Sequence, residues 1–301
     1  MQNILFRADS SSTIGTGHIM RDLVLAEQFK DVNIIFTTQD FLGNINHKII
    51  EKNYKIEILK SNDFQELNLL IKKLKINMIV IDHYNISYDF EKKLKNSHSN
   101  LKIFVFDDTY EKHHCDILLN HNVYGDSTKY KYLVPLNTEL RCGSKYTLLR
   151  DEFTTEKQKG RQNKNNKNNL NVFIAMGGAD HSNININILE VLKDFSDIHA
   201  HVVTTIANKH LAQLEKYIQS RKNITLYINT NKIAKLMNKA DFAIITPSVT
   251  INEIFYLNIP FIAIKTADNQ KYMYDYLLKR DLFVLENFNT KLLTKHIKSF
   301  T

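Results

Sequence analysis

The sequence lacks the features that mark membrane, secreted and zinc-binding proteins. No apolar run approaches the ~18 residues of a membrane span, so we expect no membrane partner. The first residues show no basic stretch followed by an apolar core, so we expect no secretory signal and a cytoplasmic location. There are only two cysteines, Cys115 and Cys142, and neither belongs to a CxxC pair. We therefore predict free thiols and no metal site.

Glycine is also scarce, with eight in 301 residues, yet Gly15 and Gly17 stand together in the stretch GTGHIMR. The stretch follows a short apolar run and leads into a helical pattern, which is where a glycine-rich loop meets a helix in an open α/β sheet. Glycine at such a position lets a ligand approach the backbone. The pattern is not GxGxxG and no acidic residue ends the next strand, so a dinucleotide cofactor is not favoured, and we predict no cofactor.

His18 stands where this helix opens. The positive end of the helix dipole disfavours an imidazolium and so favours a neutral ring. A neutral imidazole is what a general base must be at pH 7. A capping or packing role explains a histidine here equally well, and the spacing alone does not decide between the two.

Both halves of the chain alternate short, continuously apolar runs with helical patterns, which predicts two doubly wound, Rossmann-like α/β domains facing across a cleft. Between the halves lies a Lys/Asn-rich stretch, 154–169, which we interpret as an exposed polar linker or loop. We therefore predict an N-terminal domain over 1–153 and a C-terminal domain over 170–301. The expected strands are 3–8, 32–37, 54–59, 78–82, 102–107, 116–120, 171–176, 200–205, 224–228, 242–246 and 261–264.

The formal net charge of +8 could indicate a nucleic-acid partner. Much of the excess lies in the polar stretch 154–169, and no basic helix interleaved with aromatic residues is present. Compositional drift toward Lys and Asn explains the charge better, so we predict no nucleic-acid partner. The oligomeric state is open, with a monomer plausible.

Two further clusters follow apolar strands in the first half. Asp82, His83 and Tyr84 end one strand, and Asp107 and Asp108 end another. Such clusters can face a ligand at the carboxyl edge of the sheet, and they can equally be structural turns. No HExxH-like spacing supports a metal.

The second half offers three candidate binding segments. Gly177 and Gly178 follow a strand, Ser248, Thr250 and Glu253 open a helix, and TADNQ (266–270) precedes a later helix. The pattern from Thr250 to Glu253 fits a T-x-x-E capping box. It also fits a phosphate site, with Glu253 one turn further in to accept hydrogen bonds from ribose hydroxyls. The two interpretations are compatible.

These motifs, taken in order, resemble the UDP-sugar hydrolases of pseudaminic acid biosynthesis, the PseG family, and more broadly the GT-B glycosyltransferases typified by MurG. The resemblance rests on motifs distributed over nearly the whole chain: DSSSTIGTGHIMRDLVLA, IDHYNIS, FDDTYEKHHCDILLN, ELRCGSKYTLLRDEF, FIAMGGAD, TPSVTINEIFYLNIPFIAI and DNQKYMYDYL. The Lys/Asn-rich stretch is the main departure from the family pattern.

The resemblance implies inverting hydrolysis of UDP-2,4-diacetamido-2,4,6-trideoxy-β-L-altropyranose to UDP and the free sugar, by C–O cleavage. It implies that His18 is the base that activates water, and that a UDP-sugar is the small-molecule partner. A GT-B glycosyltransferase that passes the sugar to an acceptor is the alternative. The substrate-binding residues that we expect are Gly15, Gly17, Arg21, Tyr84, Gly177, Gly178, Ser248, Thr250, Glu253, Asn269 and Gln270.

Overall fold

The computed structural model describes residues 1–161, 169–180 and 182–301 and divides the chain into two compact units. The N-terminal unit is Met1–Leu148 and the C-terminal unit is Leu149–Thr301. Within the described residues, no helix is long and apolar enough to cross a membrane.

The N-terminal unit is a seven-stranded parallel sheet with helices between its strands. The strand order is β3-β2-β1-β4-β5-β6-β7, so the chain winds outward in both directions from the central pair β1 and β4. The elements are β1 Gln2–Ala8, α1 Gly17–Ala26, β2 Val32–Gln39, α2 Asn46–Glu51, β3 Lys55–Leu59, α3 Phe64–Leu74, β4 Met78–Asp82, α4 Tyr88–Ser97, β5 Lys102–Phe106, β6 Ile117–Asn120 and β7 Glu139–Cys142.

The C-terminal unit repeats this plan with six parallel strands in the order β10-β9-β8-β11-β12-β13. Its central pair is β8 and β11. The elements are α5 Asp151–Gln158, β8 Leu170–Ala175, α6 Ile184–Leu192, β9 Ile198–Thr204, α7 Leu211–Ile218, β10 Ile224–Ile228, α8 Ile233–Lys239, β11 Phe242–Ile245, α9 Thr250–Leu257, β12 Phe261–Ile264, α10 Lys271–Leu278, β13 Val284–Leu285 and α11 Thr290–Ile297.

Strands buried on both faces explain the continuous apolar runs. Along β1, Ile4 and Phe6 pack into one apolar cluster, while Leu5 between them packs into another. Successive side chains of a strand point to opposite faces, so helices on both sides of the sheet each receive a buried layer. Every strand predicted from the sequence is confirmed. The predicted Rossmann-like architecture of both units is confirmed as well.

The structure corrects one part of the linker prediction. Residues 154–158 belong to α5, which packs against α8 and α9 within the C-terminal unit. Phe153 is the fully buried anchor of this helix, so a single apolar residue suffices where the sequence shows no periodicity. Residues 162–168 of the predicted linker lie outside the described residues. The short edge strands β7 and β13 and the last helix α11 were also not predicted.

A buried charged network stabilises the N-terminal unit and gives it a pH dependence. His113 contacts Glu91 (Nδ1–Oε1 2.7 Å) and lies 3.7 Å from Asp107. Burial by itself would lower the pKa of His113, but these two carboxylates raise it to about 9. We expect the contribution of His113 to the free energy of unfolding to be complete below about pH 6.5 and to fall by roughly 3 kcal/mol as pH rises to 9, since the folded state binds the proton more tightly.

Urea unfolding of the wild type and of His113→Gln, followed by circular dichroism from pH 6 to 9.5, tests this prediction. The variant should be less stable at pH 6 and should lack that part of the pH slope. Parallel slopes for the two proteins would contradict it.

Candidate active site

Most of the candidate residues follow the central strand pair of a sheet. His18 lies on α1, which follows β1, and Tyr84 follows β4. In the C-terminal unit, Gly177 follows β8 and Ser248 follows β11. Open parallel sheets bind ligands at this point, because neighbouring loops diverge there to opposite faces and leave a crevice.

His18 is paired with a buried carboxylate. Its Nδ1 lies 2.7 Å from Oδ1 of Asp82, the last residue of β4. Asp82 is nearly inaccessible to solvent, whereas the His18 side chain keeps 12% of its surface exposed. Burial alone would raise the pKa of Asp82, but the charge of Arg21 and the hydrogen bonds from Arg21 and His18 hold it well below its usual range. Asp82 is therefore an anion that only accepts hydrogen bonds.

This pairing sets the tautomer of the ring. Nη2 of Arg21 also lies 3.2 Å from Nδ1 of His18. A guanidinium can only donate, so this contact would need a lone pair on Nδ1. The shorter contact to the anionic Asp82 requires the proton on Nδ1, so the neutral ring presents the lone pair of Nε2. The geometry therefore favours a base over a packing role for His18.

Arg21 bridges two carboxylates rather than standing free. Its Nε donates to Asp82 (2.6 Å) and its Nη1 donates to Asp108 (3.1 Å). Its guanidinium also lies over the ring of Phe106, with the central carbon 4.9 Å from the ring centroid. Because these bonds occupy a nearly buried side chain, the arrangement supports a positioning role for Arg21 in place of the direct substrate contact that we predicted.

Asp22, the acid that follows Arg21 on α1, does not compete with Asp82 for hydrogen bonds from Arg21. Asp22 is fully buried, and within the described part of the chain neither of its carboxyl oxygens has a hydrogen-bond partner. Burial first and then the charge of Asp82 raise the pKa of Asp22 well above its usual range. The buried position of Asp22 thus disfavours its ionised form, which leaves Asp82 as the anion that pairs with Arg21.

Tyr84 lies beside His18. The two rings meet edge to face with centroids 5.2 Å apart, and the tyrosine hydroxyl donates to Asp108 (3.0 Å). More than half of the Tyr84 residue is exposed. Partial burial and the charge of Asp108 raise the pKa of Tyr84, so the side chain remains a phenol. The structure thus places Tyr84 next to His18, and its role as a site residue stays a prediction.

His83, which lies between Asp82 and Tyr84 in the chain, pairs with Asp9 and not with His18 or Asp108. Its Nδ1 accepts from the backbone N–H of Asn85 (3.1 Å), so Nε2 carries the proton and donates to Asp9 (3.0 Å). Asp9 is also held by two bonds from the buried Arg7, each 2.7 Å long. This network fixes the start of the loop that leads to α1.

The two glycines of that loop leave space. Gly15 has φ +87°, which favours glycine, and its N–H and C=O pair with Ser11. A Cβ at Gly15 or Gly17 would meet no protein atom within 4 Å. Gly17 is the first residue of α1, and the preceding Thr16 makes no side-chain cap. Open space beside an uncapped helix start fits the predicted approach of a ligand.

The glycine pair of the C-terminal unit has two distinct causes. Gly177 has φ +81° and open space where a Cβ would be, as at Gly15. Gly178 is required by packing, since a Cβ there would lie 2.9 Å from the side chain of Thr205. We therefore keep Gly177 as a candidate for ligand contact and assign Gly178 a structural reason of its own.

The predicted capping box at α9 is wrong. Thr250 is the first helical residue, the N-cap is Val249, and no side chain caps the helix. Glu253 instead accepts a hydrogen bond from Arg150 (3.0 Å). Burial raises the pKa of Glu253, and the charge of Arg150 opposes that rise. The hydroxyls of Ser248 and Thr250, 3.4 Å apart, lie at the uncapped start of the helix.

Asn269 and Gln270, both predicted to bind substrate, differ in their surroundings. The side-chain oxygen of Gln270 accepts from the backbone N–H of Thr266 (2.8 Å) and Ala267 (3.3 Å), which shapes the loop after β12. Asn269 is exposed beside it. Gln270 thus has a structural function, while Asn269 remains available to a ligand.

Sequence reasoning missed three partnerships. The sequence predicts that Asp82 lies at a strand end but does not predict its contact with His18. It also does not predict the contact of Asp108 with Tyr84 or that of Arg150 with Glu253. The signals available were two acidic strand ends and the arginine of LLRDEF, but no spacing rule pairs side chains across a sheet. Among the described residues, no group of three or more His, Cys, Asp or Glu side chains is placed to hold a metal ion.

Comparison with solved structures defines the fold class. MurG from Acinetobacter baumannii aligns with a TM-score of 0.62 and 12% identity, covering 99% of this chain and 90% of that one. A UDP-GlcNAc 2-epimerase from Neisseria meningitidis, solved with bound UDP-GlcNAc, aligns with a TM-score of 0.64 and 11% identity, covering 99% and 91%. Together with the two parallel sheets, these likenesses show a GT-B fold of two Rossmann-like domains.

Comparison with curated sequences narrows the class to one family. The chain is 41% identical over 277 residues to the UDP-2,4-diacetamido-2,4,6-trideoxy-beta-L-altropyranose hydrolase of Campylobacter jejuni, covering 92% of this chain and 96% of the relative. The chain belongs to the family of this hydrolase. No protein-family model matches it.

Proposed function

We propose that this chain is a nucleotide-sugar hydrolase that cleaves UDP-2,4-diacetamido-2,4,6-trideoxy-β-L-altropyranose to UDP and the free sugar, a step of pseudaminic acid biosynthesis. The family relative supports the substrate and the reaction class. The observation that carries the mechanism is the pair of His18 and Asp82, which leaves one imidazole lone pair on a side chain that solvent can reach.

In this proposal His18 is the general base. Its Nε2 removes a proton from a water molecule as the water oxygen attacks the anomeric carbon, and Asp82 stabilises the imidazolium that forms. Attack by water on the face opposite the leaving group breaks the C–O bond and inverts the anomeric carbon. UDP leaves as a stabilised anion, so strong acid catalysis is not demanded.

The C-terminal unit is the proposed nucleotide site. Ser248, Thr250 and the positive end of the helix dipole at the start of α9 are suited to the diphosphate, whose charge grows as the bond breaks. Gly177 offers close backbone approach, Glu253 accepts from the ribose hydroxyls, and Asn269 is a further polar ligand. The cytoplasmic location remains a prediction from the sequence, and the oligomeric state stays open.

The assay that tests this function uses the purified chain and the UDP-sugar without any acceptor. We expect UDP and free reducing sugar in equal amounts, and proton NMR of the first product should show the inverted anomer. Release of UDP only after an acceptor is added would support the glycosyltransferase alternative instead. The fold does not decide between the two, since GT-B enzymes include both.

Replacing Arg150 should weaken nucleotide binding, because Arg150 holds the oxygen of Glu253 that we assign to the ribose. We expect Arg150→Gln to raise the dissociation constant of UDP about tenfold, the scale of one hydrogen bond to a charged group. Isothermal titration with UDP measures this change. Arg141→Gln is the matched control, since Arg141 pairs with Glu139 on the edge strand β7 and should leave UDP binding unchanged. An unaltered UDP affinity in Arg150→Gln would remove Glu253 and Arg150 from the nucleotide site.

A further inference from the structure

The carboxylate of Asp108 joins Tyr84 to Arg21 in the candidate site. It accepts from the hydroxyl of Tyr84 (Oδ1 3.0 Å and Oδ2 3.3 Å) and from Nη1 of Arg21 (Oδ2 3.1 Å). The same guanidinium bonds to Asp82, which orients His18. A single chain of charge-assisted hydrogen bonds therefore runs from the phenol of Tyr84 to the imidazole of His18.

We propose that Asp108 is a positioning residue of the reaction, which holds the Tyr84 phenol beside His18 and couples the placement of the two rings through Arg21. This inference rests on the proposed function, because it assigns Tyr84 and His18 to the same substrate.

The backbone that carries Asp108 is itself well fixed. The preceding Asp107 accepts from the hydroxyl of Tyr130 (2.6 Å) and from the backbone N–H of Tyr110 (2.8 Å). The carbonyl oxygen of Asp108 accepts from the hydroxyl of Tyr124 (2.7 Å). A carboxylate mounted on such a loop holds its partners in one place, which a mobile surface side chain does not do.

The chemistry of the phenol explains why its placement matters. Because the Tyr84 hydroxyl donates its hydrogen bond to Asp108, the lone pairs of its oxygen are left to accept from an N–H or O–H group of a bound sugar. The ring edge lies against His18, so a sugar held by the phenol lies near the base. Loss of the carboxylate frees the ring to rotate and takes that acceptor away from the base.

A double-mutant cycle tests the proposal. Asp108→Asn and Tyr84→Phe should each lower kcat/KM for the UDP-sugar about tenfold or more, as expected when a hydrogen bond to a charged group is lost. UDP affinity should stay unchanged in both variants. Because Asp108 acts on Tyr84 and, through Arg21, on His18, the double variant should lose clearly less activity than the product of the two single losses. Independent, additive losses, or weakened UDP binding in Asp108→Asn, would overturn the proposal.

A second readout does not depend on turnover. With tyrosine labelled at the phenolic carbon, Tyr84→Phe identifies the Tyr84 NMR signal, and Asp108→Asn should shift that signal while the protein stays folded. An unmoved Tyr84 signal overturns the proposal. If the wild type released no UDP while the signal still moved, the proposed function would fail and the link between Asp108 and Tyr84 would stand. Asp108→Ser, which places no amide against Arg21, is the second variant if Asp108→Asn does not fold.

Discussion

Replacement of His18 by alanine is expected to abolish most turnover and leave nucleotide binding intact. We expect kcat to fall at least about 100-fold, the usual scale for loss of a general base. The affinity for UDP should hardly change, because the residues that we assign to UDP lie in the C-terminal unit. Steady-state assay of UDP release, with isothermal titration of UDP on the same preparation, measures both quantities.

The control for this prediction is His47→Ala, which removes an exposed histidine of α2 from the same unit. It should retain full turnover. His18→Gln is a useful companion, because it keeps a polar side chain but cannot take the proton. Turnover within a few-fold of wild type in both His18 variants would exclude His18 as the base.

Asp82→Asn is expected to damage both catalysis and stability. An amide at this position cannot keep the proton of His18 on Nδ1 as an anion does, so Nε2 ceases to be the free basic atom, and kcat should fall about 100-fold or more. The substitution also leaves the nearly buried Arg21 without its main counter-charge. Breaking a buried ion pair in this way costs about 3–5 kcal/mol of unfolding free energy.

Urea unfolding and the UDP-release assay together test this prediction. Asp116→Asn is the matched control, because Asp116 pairs with Lys95 at a partly exposed position of the same unit. It should cost much less stability and leave kcat unchanged. An Asp82→Asn protein with wild-type kcat would show that the tautomer of His18 does not depend on Asp82.

The sequence carried most of the fold because both units are built from strands buried on two faces. The apolar runs 78–81 in β4 and 103–106 in β5 are not interrupted by a polar residue, so they are not mistaken for loops. The elements that escaped prediction are short or weakly patterned. The helix α5 is anchored by one buried residue, Phe153, and the edge strand β13 is two residues long.

The sequence predicts where the site residues lie in the fold, but it does not predict which side chains contact one another. The strand ends after β4 and β5 were expected to carry site residues, since the carboxyl edge of a parallel sheet is where ligands bind. That Arg21 bridges Asp82 and Asp108 depends on the register of three strands and a helix, which no local spacing encodes. The same limit hid the pair of Arg150 and Glu253, which are 103 positions apart in the chain.

The tripeptide at the end of β4 has a consequence for how this site can change over evolution. Asp82, His83 and Tyr84 each hold a different neighbouring segment: the helix α1, the loop after β1 and the loop after β5. A one-residue insertion before them would turn all three side chains away from their neighbours at once, so we expect the chain not to tolerate a change of length at this point. Lineages that acquire new sugar preferences should therefore vary the loops around this tripeptide and leave its length untouched.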